Sequence, residues 1–158
     1  MSLATVGRSG EVHAADVYFA GDEQMNLYYF SDPSSQHSRD IQRDPRAAIT
    51  IHTNRTSWEQ ILGVQMRGIC TQVTTPLAWQ RAWAVYLEKF PFVQQLSEII
   101  NMNQLYGFAP GWIRLVDNSH GFGYKQEWQA MENESASIMG SQWELVGSQN
   151  QEPGTGDG

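Results

Sequence analysis

Tyr29-Phe30-Ser31-Asp32-Pro33-Ser34-Ser35-Gln36-His37-Ser38 is the stretch on which the reading of this chain turns. An aromatic strand ends at Ser31, Asp32 and the serines are good helix N-caps, and Pro33 suits an early helical position. The spacing predicts a short helix from about Ser34 to Arg43, stopping before Asp44-Pro45. A strand that feeds a helix through hydroxyls and an imidazole admits two readings. One is plain capping by Ser34 or Ser35. The other is a phosphate seat, because free backbone N–H groups and the positive end of the helix dipole favour an anion, and the hydroxyls and imidazole add donors.

On the N-terminal side, Ser2 to Gly7 reads as a strand and Arg8-Ser9-Gly10 as a turn. Val12 to Ala20 is predicted to be a second strand, with Ala15, Val17 and Phe19 on one face. Gly21-Asp22-Glu23 turns the chain into Leu27–Ser31, so three short strands form an antiparallel meander. On the C-terminal side, Ala47–Thr53 and Ile61–Val73 are predicted strands, the latter interrupted by Gly63 and Gly68 as a curved barrel strand would be. Thr75-Pro76 caps a helix whose Trp79, Ala82, Trp83, Tyr86 and Phe90 form one apolar stripe, core or interface in character. Pro91 ends it, and Phe92–Ile100 is a second helical segment. Strands are expected at Leu105–Ala109, Trp112–Val116 and Phe122–Trp128. The expectation is one mainly β domain over residues 1–129, with about seven strands in an antiparallel β-barrel and a few peripheral helices. Residues 130–158 read as a polar, largely disordered tail, with Ile138, Met139, Trp143, Leu145 and Val146 available for one docking contact and residues 149–158 disordered.

Charge excludes some functions. A net charge of −7 repels a phosphate backbone, so no nucleic-acid partner is expected. Arg39, Arg43, Arg46 and Arg55 read most simply as solvated surface beside Asp40 and Asp44. The apolar runs are too short for a membrane span. Cys70 is the only cysteine, and no leader segment is visible, so a reducing cytoplasm is the expected location and a buried structural thiol the expected state. His13, His37, His52 and His120 show no metal-ligand spacing. There is no Walker loop, no dinucleotide glycine fingerprint and no Gly-x-Ser-x-Gly elbow. No side chain stands out as a catalytic acid or base.

The order of elements, and the run Leu27 to Arg46 with its Tyr-Phe-Ser-Asp-Pro-Ser-Ser-Gln-His core and Asp-Pro-Arg close, resemble the pyridoxamine 5′-phosphate oxidase-like, FMN-binding split-barrel superfamily over about residues 1–129. Gly63-Val64-Gln65-Met66-Arg67-Gly68, Lys89-Phe90-Pro91 and the run Asp117 to Lys125 are similar to a poorly characterised branch of it. The resemblance implies an antiparallel split β-barrel and a homodimer with FMN at the subunit interface. It implies a flavin-dependent oxidoreductase of unnamed substrate and electron donor; a non-enzymatic module binding flavin or another phosphorylated ligand is the alternative. By position, Ala15 to Ala20 would lie along the isoalloxazine ring, with the backbone of Asp16 and Val17 bonding its edge. Phe30, Ser31, Ser35, Gln36 and His37 would surround the phosphate. Departures are specific. The oxidase has bases where this chain has Ala15 and Ala20, and two helix bases correspond to Gln36 and His37. A flavin-contacting glutamine falls at Gly63, for which Gln65 is the nearby substitute. The helix preceding the first strand in the family has no counterpart here, which gives the expectation of a later start.

Overall fold

In the computed structural model, residues 1–131 and 142–149 are described. The chain divides into two compact units, Met1–Ile49 with Arg67–Pro110, and Thr50–Met66 with the described part of Gly111–Gly158. Three strands pass through both: β5 (Arg46–His52), β6 (Leu62–Gln72) and β7 (Gln104–Asp117).

The first unit adds β1 (Ser2–Val6), β2 (Val12–Asp16), β3 (Ala20–Gly21) and β4 (Leu27–Ser31), in the sheet order β2-β1-β5-β6-β7-β4-β3. β1 pairs antiparallel with β2, and β4 with both β3 and β7. The mainly antiparallel expectation therefore holds. Alternation along β4 explains its aromatic content, because successive side chains leave opposite faces of a strand. Tyr29 is fully buried and stacks on Tyr106 with ring centres 5.3 Å apart. Phe30 points the other way and meets Trp83 and Tyr86 edge-on at 5.9 and 5.1 Å. Those rings belong to α2 (Pro76–Lys89), which Thr75 caps by accepting the Ala78 N–H and which Pro76 opens, as predicted. Burying aromatic side chains of this size stabilises by roughly 1.5–3 kcal/mol each.

Several boundaries differ from expectation. The predicted second strand stops at Asp16, because Ala20 is drawn into β3 and fully buried against Tyr86 and Val93. The chain between the two is not strand. Pro110-Gly111 does not divide the late strands: β7 runs straight through, and Gly68 on β6 makes room for it. A Cβ at Gly68 would meet the Ala109 carbonyl oxygen and lie 2.8 Å from Pro110 Cα. The helical segment after Pro91 is a 3-10 turn, Pro91–Leu96, followed by α3 (Ser97–Met102).

In the second unit, β7 pairs with β8 (Lys125–Ala130), and β8 with β9 (Trp143–Gln149), through a bulge at Glu127/Trp128. The expected boundary at 129 thus falls inside β8. Trp143, Leu145 and Val146, expected to offer one docking contact from a largely disordered tail, lie on a strand whose backbone pairs with β8. The described chain has nine strands where seven were expected. Ile138, Met139 and residues 150–158 lie outside the described residues. Buried Asn118 ties this unit's loops: its N–H donates to Ile61 O, its Nδ2 to Trp58 O, and its Oδ1 accepts from the Gly123 N–H. Among the described residues no helix is long and apolar enough to cross a membrane.

Candidate phosphate-binding site

The junction between β4 and α1 (Gln36–Arg43) is built as a cap. Pro33 sits in a turn in which the Ser35 N–H donates to Asp32 O and the Ser34 N–H to Asp32 Oδ1. Ser35 is the N-cap, in extended conformation, and its Oγ accepts from the Ser38 N–H at 3.3 Å. The N–H groups of Gln36 and His37 then open the helix with no carbonyl of their own turn to reach. Both readings of the sequence meet at Ser35, for it caps the helix and also stands beside those two donors.

Three side chains converge there. His37 Nε2 lies 2.6 Å from Ser31 Oγ and 3.1 Å from Ser35 Oγ, and the two hydroxyls are 3.3 Å apart. Ser35 donates its hydroxyl proton to buried Ser38 Oγ at 2.8 Å. Ser31 and Ser35 meet the same ring nitrogen of His37, and the tautomer sets which hydroxyl donates to it and which accepts. Burial pushes the His37 imidazole below its usual pKa, and the Asp40 carboxylate only partly opposes this. The cluster is a neutral set of donors at the positive end of a helix.

Asp40 holds the cluster's base. It is fully buried and accepts from Thr5 Oγ1 (3.0 Å), His13 Nδ1 (2.7 Å), Gln36 Nε2 (2.8 Å) and Arg43 Nη2 (2.6 Å). Burial alone would raise its pKa; the bonds from His13, Gln36 and Thr5 outweigh that and hold the carboxyl below the usual range. One carboxylate thus pins α1 to β1 and β2.

The other expected residues separate. Gln36 is on the first turn, its Oε1 accepting from Arg39 Nη2 at 2.7 Å, while Arg39 Nη1 donates to Ser34 O. Arg39 is exposed, in keeping with its reading as surface charge, and its guanidinium lies along the turn that carries the cluster. Its place four residues after the cap was the available signal. Phe30 does not join the cluster, because it faces away from Ser31 and packs on α2. Ala15 pairs with Leu3. The Val17 backbone is already committed: its N–H donates to Met1 O and its C=O accepts from Met1 N, so it has no edge to offer a ring. Asp16 is the next residue in that ladder, and alternation turns its N–H and C=O toward the outer side of β2, the end strand of the sheet order. Its carboxylate accepts from Ser2 Oγ at 2.6 Å. Gln65 is on β6 in the second unit, where it accepts from Arg114 Nη1 at 3.3 Å. No group of three or more metal-ligating side chains occurs among the described residues.

The fold is shared with known proteins. Residues 1–117 match the family model described as pyridoxamine 5′-phosphate oxidase. A UPF0306 protein of Yersinia pseudotuberculosis is 27% identical over 133 residues, covering 80% of this chain and 82% of that protein. Among solved structures, a pyridoxamine 5′-phosphate oxidase-related, FMN-binding protein from Nostoc punctiforme superposes with a TM-score of 0.61 at 16% identity, covering 92% of this chain and 85% of that one. A heme binding protein from Mycobacterium smegmatis gives a TM-score of 0.66 at 19% identity, covering 81% of this chain and 51% of its own. These likenesses establish the split-barrel fold.

Proposed function

Because the chain belongs to the pyridoxamine 5′-phosphate oxidase family, we propose that the cluster at the start of α1 holds the phosphate of FMN and that the protein is a flavin-dependent oxidoreductase. The observation that carries this is the convergence of Ser31, Ser35 and His37 within 3.3 Å of one another at a helix N-terminus. The donors that fit a phosphate monoester are the Ser31 hydroxyl and the N–H groups of Gln36 and His37, with the Arg39 guanidinium along the same turn; Ser35 and His37 would exchange their bonds to Ser38 and to each other for bonds to the ligand. When bound, FMN supplies hydride or electron transfer. The chain's own part is to seat the phosphate, to offer the outward backbone of Asp16 to the ring, and, through Asp40, to keep the seat rigid. Ala15, on β2, is the remaining ring-side residue of this reading.

The protein acts in this reading as a homodimer with flavin at the subunit interface. Val12, at the far end of β2 from Asp16, and Tyr18, two residues past it, are 71% and 78% exposed, as side chains that a second subunit covers would be in an isolated chain. Sedimentation of a species larger than 17.9 kDa is expected, and a monomer at micromolar concentration argues against it. A reducing cytoplasm suits the buried lone thiol of Cys70.

Purified protein should be yellow or take up added FMN. His37→Ala should weaken FMN binding about tenfold or more, whereas His120→Ala, whose exposed ring stacks on Tyr124 and bonds Asp117, should not. Equal losses in titration overturn the placement. A second reading, a binding module without turnover, is motivated by the bases that positions 15, 20 and 36 lack. Bound flavin that NADH, NADPH and dithionite fail to cycle with an acceptor selects it.

A further inference from the structure

The cluster at the start of α1 is rich in donors and poor in fixed positive charge. Arg39 is exposed and already bonded to Gln36 and Ser34, and Arg43 is bonded to Asp40. The carboxylates of the same helix and turn, Asp40 and Asp32, are both held below the usual range, Asp32 by its bonds from Ser34, so both are charged at neutral pH. A phosphate monoester adds up to two more negative charges. At the centre of the cluster stands one titratable atom, His37 Nε2, 2.6 Å from Ser31 Oγ and 3.1 Å from Ser35 Oγ. The other ring nitrogen, Nδ1, makes no hydrogen bond among the described residues. The ring can therefore hold a proton on both nitrogens without breaking a bond at Nδ1. Burial keeps the half-buried ring neutral, Asp40 only partly opposing.

We propose that seating the phosphate draws a proton onto His37, so that the imidazole, neutral in the free protein, becomes the cation that balances the ligand. The inference rests on the phosphate reading above and adds how its charge is met. The proton comes from solvent, both ring nitrogens then donate, and no bond to phosphorus forms or breaks. A group protonated only in the complex tightens binding as pH falls through its pKa in the complex. The gain levels off below its pKa in the free protein, and phosphate takes its own proton near pH 6, so the window opens above about pH 6.5. The other groups facing the ring do not titrate there. Tyr29 of β4, its ring centre 6.4 Å away, is backed by Tyr106 of β7 and bonded to Cys70 of β6. Burial pushes the Tyr29 phenol up and the Cys70 thiol up to about 11. The second imidazole of the network, His13 on β2, bonds Asp40 and not the cluster.

The test is to titrate FMN and riboflavin into wild type, His37→Gln and His13→Gln at about pH 6.5 and about pH 8. Calorimetry in two buffers of different ionisation enthalpy counts the protons. Wild type should bind FMN about tenfold more tightly at the lower pH, with net proton uptake, the effect of one partly screened charge. Riboflavin, without the phosphate, should change by less than about twofold. His37→Gln keeps a donor but cannot titrate; it should bind FMN like wild type at the higher pH and lose the rise, while His13→Gln should keep it. Should His37→Gln fail to fold, the His37 ring signals in proton NMR of wild type carry the same test, titrating at higher pH with FMN than without. A flat FMN affinity, a rise that survives in His37→Gln, or one absent from His13→Gln overturns the inference. The phosphate reading still stands in those cases if FMN binds more tightly than riboflavin. FMN binding no tighter than riboflavin overturns both.

Discussion

Ser35→Asp separates the two roles that meet at the start of α1. As an N-cap, aspartate is as good as serine: its carboxylate accepts the Ser38 N–H and adds a favourable charge at the dipole's positive end. Stability should therefore stay within about 0.5 kcal/mol of wild type, whereas Ser35→Ala, which loses the cap and leaves buried Ser38 Oγ without its donor, should lose about 1–2 kcal/mol. Ligand binding should go the other way. The new carboxylate would stand where Ser35 Oγ lies, 3.3 Å from Ser31 Oγ and 3.1 Å from His37 Nε2, and would face the phosphate directly. Two like charges about 4 Å apart at an effective dielectric near 20 repel by about 4 kcal/mol; with water admitted to an open site, half of that is a reasonable floor, so FMN affinity should fall at least about thirtyfold. Riboflavin, which lacks the phosphate, is the control. The assay is a urea melt of each variant beside fluorescence titrations of both flavins. If Ser35→Asp binds FMN like wild type, or loses both flavins equally, the phosphate is not seated at this helix.

Asp40→Ala should cost about 3 kcal/mol in urea unfolding, since it strips a buried acceptor from His13, Gln36, Thr5 and Arg43. The native carboxyl titrates below its ordinary value, so its contribution is present above about pH 4 and is lost as pH falls through the lower native pKa. The gap between wild type and variant should accordingly narrow below pH 4, and a gap below 1 kcal/mol at pH 7 would contradict the buttress. Cys70 is fully buried and burial pushes its thiol up to about 11, the bond from Tyr29 only partly opposing; a thiol reagent should label it fast in urea and slowly in the native protein, and rapid native labelling would show the packing to be wrong. Gly68→Ala should lose about 2 kcal/mol or more, because the added methyl meets the β7 backbone at Ala109 and Pro110; a melt within error of wild type would mean the two strands part freely.

What the sequence made legible was local. The cap at Ser35, the Thr75-Pro76 helix start and the Leu27–Ser31 strand each depend on a few adjacent residues whose backbone preferences agree, and each appears where its spacing put it. The errors came where a distant partner decides. Pro110-Gly111 reads as a break, but Gly68, some forty residues earlier, removes the side chain that would have forced one. Residues 143–149 read as tail because a strand that pairs on β8 needs little hydrophobicity of its own.

The same division runs through the candidate site. Ser31, Ser35 and His37 lie within seven residues, so their convergence follows from a strand end and one helical turn. Asp40 is on the same helix, but its importance depends on Thr5 and His13, brought by β1 and β2, and nothing in its local sequence marks it. Lys89 is further still in sequence from Phe19, and only the packing of α2 over Ala20 brings it onto that ring.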